Sequence, residues 1–108
     1  MATFEKEIIF NLENSIEYTD GGVISKQITK SKGGNLTLFS FDKKQGLSEH
    51  KTPYDAIVQI LDGEAEITIG GNLHNLKKGD CIIMPANIPH ALKAVERFKM
   101  LLTMIKEE

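Results

Sequence analysis

Two histidines, His50 and His90, are the residues of this chain whose types and spacing best suit chemistry. They lie forty positions apart, and His90 closes a proline-containing segment that begins at Pro85. An imidazole can ligate a transition metal, transfer a proton near neutral pH or hydrogen-bond a small ligand. No serine or cysteine accompanies the pair in the context of a nucleophilic triad. The pair therefore predicts a metal, ligand-binding or acid/base site, and the residue types leave the three open.

Short β-strands are predicted on both sides of each histidine. Residues Glu64 to Ile69 alternate polar and apolar side chains, which is the period of a half-buried strand. The run Ala56 to Leu61 is almost continuously apolar, and Asp62-Gly63 between the two runs predicts a tight hairpin. Comparable runs, separated by glycine-containing turns, recur along the chain about every 8–12 residues, as in all-β sandwiches and barrels.

The two ends of the chain are less clear. By propensity, Val95 to Glu108 suits a helix. Its apolar residues also fit a closing strand that is buried on both faces, and we predict a strand from Arg97 to Ile105. The mixed segment Phe4 to Tyr18 fits a strand plus one short helical turn, and its pattern does not decide between strand and helix.

Size and charge restrict the class of protein. A chain of 108 residues and 12.0 kDa suits one domain, 1–108, and a formal net charge of −2 gives no reason to expect nucleic acid or a membrane as partner. No basic leader followed by an apolar run is seen, so we expect a cytoplasmic protein. The single cysteine, Cys81, lies in an apolar run, and we expect a buried, inert thiol.

The residues around His50 resemble the first motif of the cupin superfamily of small β-barrels. That motif runs from a glycine through His-x-His and a glutamate to a closing glycine. In this sequence, His50 occupies the first histidine position and Gly63 the closing glycine, while the leading Gly46 is displaced. Thr52 stands in place of the second histidine and Ala56 in place of the glutamate.

The residues before His90 resemble the second cupin motif. Gly79, Pro85 and His90 match its spacing, while Asn87 replaces a glycine and Ala94 an asparagine. Together the two motifs span about half of the chain. The resemblance implies an all-β cupin barrel, a jelly-roll-like double-stranded β-helix, with a motif-bearing core at about 35–105. It also implies a homodimer in which N-terminal strands or sheet faces pair.

Metal-binding cupins hold one divalent ion, which is iron, manganese, nickel, copper or zinc, through three histidines and the glutamate. Carried over position by position, only His50 and His90 remain as metal ligands, and two imidazoles alone should bind such an ion weakly. Strand parity puts Glu49, Asp55 and Gln59 on the opposite face from Ala56, unless a bulge intervenes. The cofactor therefore stays undetermined.

We expect the site at the barrel mouth between the two histidines. The expected ligand-contacting residues are His50, Thr52, Ala56, Met84 and His90. The leading hypothesis is a small, partly hydrophobic ligand bound without a tightly held metal. The alternatives are a metal-dependent oxygenase or isomerase that uses both histidines, and metal-free acid/base chemistry. Whether the chain is an enzyme stays open.

Overall fold

The computed structural model describes residues 4–106 as an antiparallel β-structure with one short 3-10 turn, Glu13–Ser15. Its strands are β1 Val23–Ser31, β2 Gly34–Phe41, β3 Gly46–His50, β4 Asp55–Ile69, β5 Asn72–Lys77, β6 Cys81–Met84 and β7 His90–Ile105. The all-β prediction is confirmed, and so is the strand predicted for Arg97 to Ile105, which forms the second part of β7.

Two long strands, β4 and β7, organise the barrel. They pair along most of their length, from Asp55 opposite Ile105 to Ile69 opposite His90. The first part of β4 and the last part of β7 belong to a half-sheet of strand order β1-β2-β7-β4-β6, which we call the first half-sheet. The last part of β4 and the first part of β7 belong to a second half-sheet of strand order β3-β7-β4-β5. Side chains of both half-sheets share one apolar core, so the two halves face each other as a β-barrel.

The bend between the half-sheets depends on Gly63. The predicted hairpin at Asp62-Gly63 is wrong, because β4 continues through these residues with a register irregularity on each side. Gly63 has φ +78°, and a Cβ there would lie 1.8 Å from the carbonyl oxygen of Arg97. Only glycine fits so close to the neighbouring strand in this conformation. A bend and a hairpin turn thus have the same local sequence signal.

Apolar side chains from both half-sheets fill the barrel. Phe41 and Phe98 are fully buried and stack with ring centroids 4.5 Å apart. The other buried members of this core are Ala56, Val58, Ile60, Ala65, Ile67, Leu76, Met84, Leu92, Ala94 and Met100. The alternation of buried and less buried residues along the start of β4 puts Ala56 on the inward face and Asp55 and Gln59 on the opposite face, as strand parity predicts.

The N-terminal segment, residues 4–22, lies against the outer face of the first half-sheet. The helical turn expected there is present, but these residues contain no strand. Ile16 is buried with Leu38 and Leu61 in a second apolar cluster. The hydroxyl of Tyr18 donates to Asp62 at 2.5 Å, and burial, followed by this contact, raises the pKa of the phenol. These contacts hold the segment on the barrel.

Strand β6 corrects the expectation for Cys81. Met84 is buried on the inward face, whereas Cys81 and Ile83 are exposed on the outward face. A run of consecutive apolar residues conceals this alternation in the sequence. Within residues 4–106, no helix is long and apolar enough to cross a bilayer.

Candidate functional site

Two loops meet at one end of the barrel and define its mouth. The loop 51–54 follows β3, and the loop 85–89 follows β6. The backbone N–H of Asn87 donates to the carbonyl of Thr52 at 2.7 Å, and that of Ala86 donates to the Asp55 carboxylate at 2.8 Å. These bonds bring together the ends of β3, β4, β6 and β7, where the predicted site residues lie.

A β-bulge places His50 beside His90. Leu47 lies opposite Leu92, but His50 lies opposite His90, so β3 advances three residues while β7 advances two. In a regular ladder, Glu49 would occupy the inward position opposite His90. The extra residue turns Glu49 outward, where it is exposed, and aligns both imidazoles on one face.

The two imidazoles contact each other edge to face, with ring centroids 4.4 Å apart and planes at 70°. His90 is only 4% exposed, whereas His50 opens to solvent. His50 Nδ1 lies 2.7 Å from the carbonyl oxygen of Ser48, and His90 Nδ1 lies 3.3 Å from that of Ile88. A carbonyl only accepts, so each Nδ1 carries the proton. In the neutral rings, each Nε2 then keeps a free lone pair.

Burial, and secondarily the charge of His50, lowers the pKa of His90. The unperturbed pKa of histidine is about 6.5, so His90 is neutral at pH 7. A neutral imidazole with an anchored Nδ1–H is suited to accept a hydrogen bond or to ligate a metal through Nε2.

The remaining predicted residues add no imidazole or inward carboxylate to the pair. Ala56 and Met84 lie opposite each other on adjacent strands, and both are buried on the inward face. The Thr52 hydroxyl donates to the carbonyl of Tyr54 at 3.0 Å. Asp55 is exposed on the outward face, as parity predicts, and accepts the hydrogen bond from Ala86.

The side chains that could hold a metal at the mouth are therefore the two imidazoles. Gln59 cannot join them, because it is half-buried on the outward face, beside a cleft of about 390 Å³ that Phe10 and Lys78 also line. Across residues 4–106, no group of three or more histidine, cysteine or carboxylate side chains could hold an ion. The arrangement does not fit a tightly bound metal, which needs further donors.

Two residues at the mouth escaped the sequence analysis. Ile69 lies opposite His90 on β4, and Asn72 lies opposite Ile69 on β5, so both continue the row that begins with the two histidines. Ile69 is half-buried and Asn72 is exposed. Alternation along β4 marks Ile69 as inward, but only the register shows that it adjoins His90.

Asn87 explains one departure from the second cupin motif. Its φ is +65°, in the left-handed region, where the motif has glycine. Asparagine tolerates this conformation better than most residues. The loop conformation is therefore kept at Asn87, whereas the substitutions at Thr52 and Ala56 remove ligand atoms.

The fold and the motif positions agree with the comparisons with known proteins. The model of the Cupin domain family matches residues 37–106. The chain belongs to the cupin family. No curated protein matches the chain.

Solved structures extend the similarity to nearly the whole chain. A conserved protein of unknown function from Streptococcus pyogenes is 39% identical, with a TM-score of 0.91 over 96% of this chain and 91% of that one. A cupin superfamily protein from Desulfitobacterium hafniense is 30% identical, with a TM-score of 0.90 over 97% and 96%.

A Cupin 2 conserved barrel domain protein from Leptotrichia buccalis is 42% identical, with a TM-score of 0.87. The match covers 90% of this chain and 47% of that one, so this chain spans about half the length of that relative.

Proposed function

We propose that this cupin binds a small molecule at the barrel mouth through Nε2 of His50 and His90, without a tightly held metal. The observation that carries the proposal is the imidazole pair, in which both Nδ1 atoms are anchored to carbonyls while Nε2 stays available. The bulge that aligns the two rings supports the proposal, because bulges are over-represented next to active sites, where they reorient a side chain.

The polarity around the pair supports a partly hydrophobic ligand. His90 is buried beside Ile69, and Ala56 and Met84 contribute apolar surface from the facing half-sheet. Polar groups that are few and fixed, set in apolar walls, are typical of small-molecule sites. His50, exposed at the rim, would be the first group that an entering ligand meets.

A ligand screen tests the proposal. A panel of small hydroxylated, carboxylated and amine compounds is added to the metal-free protein, and the melting temperature and the ring resonances of the three histidines are followed. A ligand at 100 times its Kd adds about 2.7 kcal/mol to the free energy of unfolding. The His50→Ala/His90→Ala variant should lose the effect, and His74→Ala should keep it, because His74 is exposed on β5. A panel in which no compound binds through the pair would contradict the proposal.

The second candidate is a metal-dependent enzyme, an oxygenase or isomerase, with the substrate completing the metal shell. The same free Nε2 atoms favour it, because metal-bound histidines donate their other N–H in this way. Elemental mass spectrometry of protein purified without chelator separates the candidates. Stoichiometric metal that is lost in the double variant would favour the enzyme. No uptake after soaking with iron, manganese, zinc or nickel would favour metal-free binding.

We also propose a homodimer formed by the outer face of the first half-sheet. Ile83, Ile57 and Leu36 lie in one row across this face, with Thr103 between Ile57 and Leu36, and Ile83 is 59% exposed. The N-terminal segment on the same face exposes Ile8 and Ile9. Apolar surface of this kind favours association.

The edge strands support the same face as the interface. At one edge, β6 carries no charged residue, whereas at the other β1 carries lysines and a bulge, features that oppose strand pairing. Light scattering should give a dimer, and Ile83→Lys should dissociate it. Leu73→Lys is the matched control, because Leu73 is similarly exposed, at 54%, on β5. A wild-type monomer at 100 µM, a concentration at which a dimer with a Kd of about 1 µM would be nearly complete, would overturn the proposal.

A further inference from the structure

The donor and acceptor pattern at the mouth points to a class of ligand. We infer that the molecule bound by His50 and His90 is uncharged and presents neighbouring hydroxyl groups on a small apolar body. This inference rests on the proposed function and narrows the ligand of that same site.

The imidazole pair offers acceptors and no donors. Both Nδ1–H groups are already used by the carbonyls of Ser48 and Ile88. When both rings are neutral, each Nε2 therefore offers one lone pair to a ligand. A group that can only accept hydrogen bonds, such as a carboxylate, an ether or a carbonyl, finds no partner on either ring. A hydroxyl group, which can donate, finds an acceptor on each ring.

The backbone of the loop 85–89 adds no donors either. Pro85 and Pro89 have no N–H. The N–H of Ala86 donates to Asp55, that of Asn87 to Thr52, and that of Ile88 to Pro85 at 3.4 Å. Anion sites in proteins commonly use successive free backbone N–H groups, and this loop has none to offer.

The side chains beside the histidines are uncharged as well. Those that share the inward face at this end of the barrel are Leu47, Ala56, Ile69, Asn72, Met84 and Leu92; Asn72, the one polar member, is exposed and separated from His90 by Ile69. The nearest lysine in sequence, Lys51, is exposed. An anion placed on the Nε2 of a neutral ring would lose water without gaining an opposite charge, which is costly. An uncharged, partly apolar molecule loses little hydration free energy when it enters the same site.

The spacing of the rings favours two donors on one molecule. The ring centroids lie 4.4 Å apart, so both lone pairs are within reach of a single small ligand. Two hydroxyls on adjacent carbons provide such a pair. Ile69, half-buried directly beside His90, offers apolar surface for the carbon skeleton.

Three compounds test the inference: cis-1,2-cyclohexanediol, its dimethyl ether and cis-cyclohexane-1,2-dicarboxylate. All three have the same cyclohexane ring and differ in the two groups on its adjacent carbons. Each is titrated into metal-free, full-length protein at pH 7.5, and the ring resonances of His50, His90 and His74 are followed. The diol should shift His50 and His90 but leave His74 unchanged. Loss of two hydrogen bonds should weaken the ether about thirtyfold. The dicarboxylate should bind no better than the ether.

The outcomes separate this inference from the proposed function. If the dicarboxylate binds the histidine pair more tightly than the diol, the inference is overturned and the proposed function stands. Equal binding of the diol and the ether, diol binding that persists in His50→Ala/His90→Ala, or no shift with any of the three would also overturn it. The proposed function fails only if the wider panel of compounds gives no binding that depends on the pair.

Discussion

Replacing Thr52→His and Ala56→Glu should convert the mouth into a divalent-metal site. These positions correspond to the missing ligands of the first cupin motif. Thr52 lies two residues after His50 in the loop bonded to Asn87, and Ala56 is the first inward residue of β4. Two imidazoles with free Nε2 atoms would gain a third imidazole and a carboxylate, which doubles the number of donors.

The metal-free variant should be much less stable than the wild type. Ala56 is 2% exposed and lies beside Met84, so a larger side chain there overpacks the core at about 1–3 kcal/mol. A buried carboxyl without a partner costs about 1–3 kcal/mol more. Loss of the bond from the Thr52 hydroxyl to Tyr54 adds about 1 kcal/mol. The sum, about 3–7 kcal/mol, is a large part of the 5–15 kcal/mol typical of a domain.

Zinc should recover part of this loss. At 100 times the Kd, a metal that binds only the folded state adds about 2.7 kcal/mol to the free energy of unfolding. Urea denaturation with chelator and then with zinc chloride measures the gain, and calorimetry gives the stoichiometry. His90→Ala in the same background is the control and should abolish the gain.

A folded variant that gains no zinc-dependent stability would refute the reasoning. So would a gain that survives His90→Ala. Either result would mean that residues 52 and 56 do not face the imidazole pair across the mouth.

Three further predictions concern the fold and the protonation of the site. Gly63→Ala should lower the free energy of unfolding by more than about 2 kcal/mol, because its Cβ meets the Arg97 carbonyl. Gly71→Ala has a similar φ but open space around the new Cβ, so it should lower the free energy of unfolding by only about 1–2 kcal/mol. Phe98→Ala should cost about 3–5 kcal/mol in urea denaturation, and an equal loss in the half-exposed Phe10→Ala would contradict this. Because the folded pKa of His90 is lowered, the unfolded chain binds the extra proton first, so stability should fall as the pH drops below about 6.5 towards that lower pKa. Urea denaturation at a series of pH values should show this dependence shrink in His90→Ala, and an unchanged dependence would contradict the assignment.

The local sequence pattern was sufficient to predict the all-β class and which side chains of β4 share a face. Strand parity put Asp55 on the opposite face from Ala56, because side chains in a strand point to opposite faces in turn, and the structure shows this arrangement. Motif spacing identified His50 and His90 as the pair of interest. These properties depend on residues close together in sequence, or on spacing that the resemblance supplies.

Long-range pairing decided the rest. Whether Gly63 forms a hairpin or a bend depends on where the Arg97 carbonyl lies, which no residue near Gly63 encodes. Whether His50 or Glu49 faces His90 depends on one bulge in β3, and shifting the register by one residue reverses the faces. The position of Ile69 beside His90, and the carbonyls that leave both Nε2 atoms free, likewise follow only from the tertiary structure. The sequence by itself determined which residue types could act, whereas the pairing of distant strands determined which of them meet.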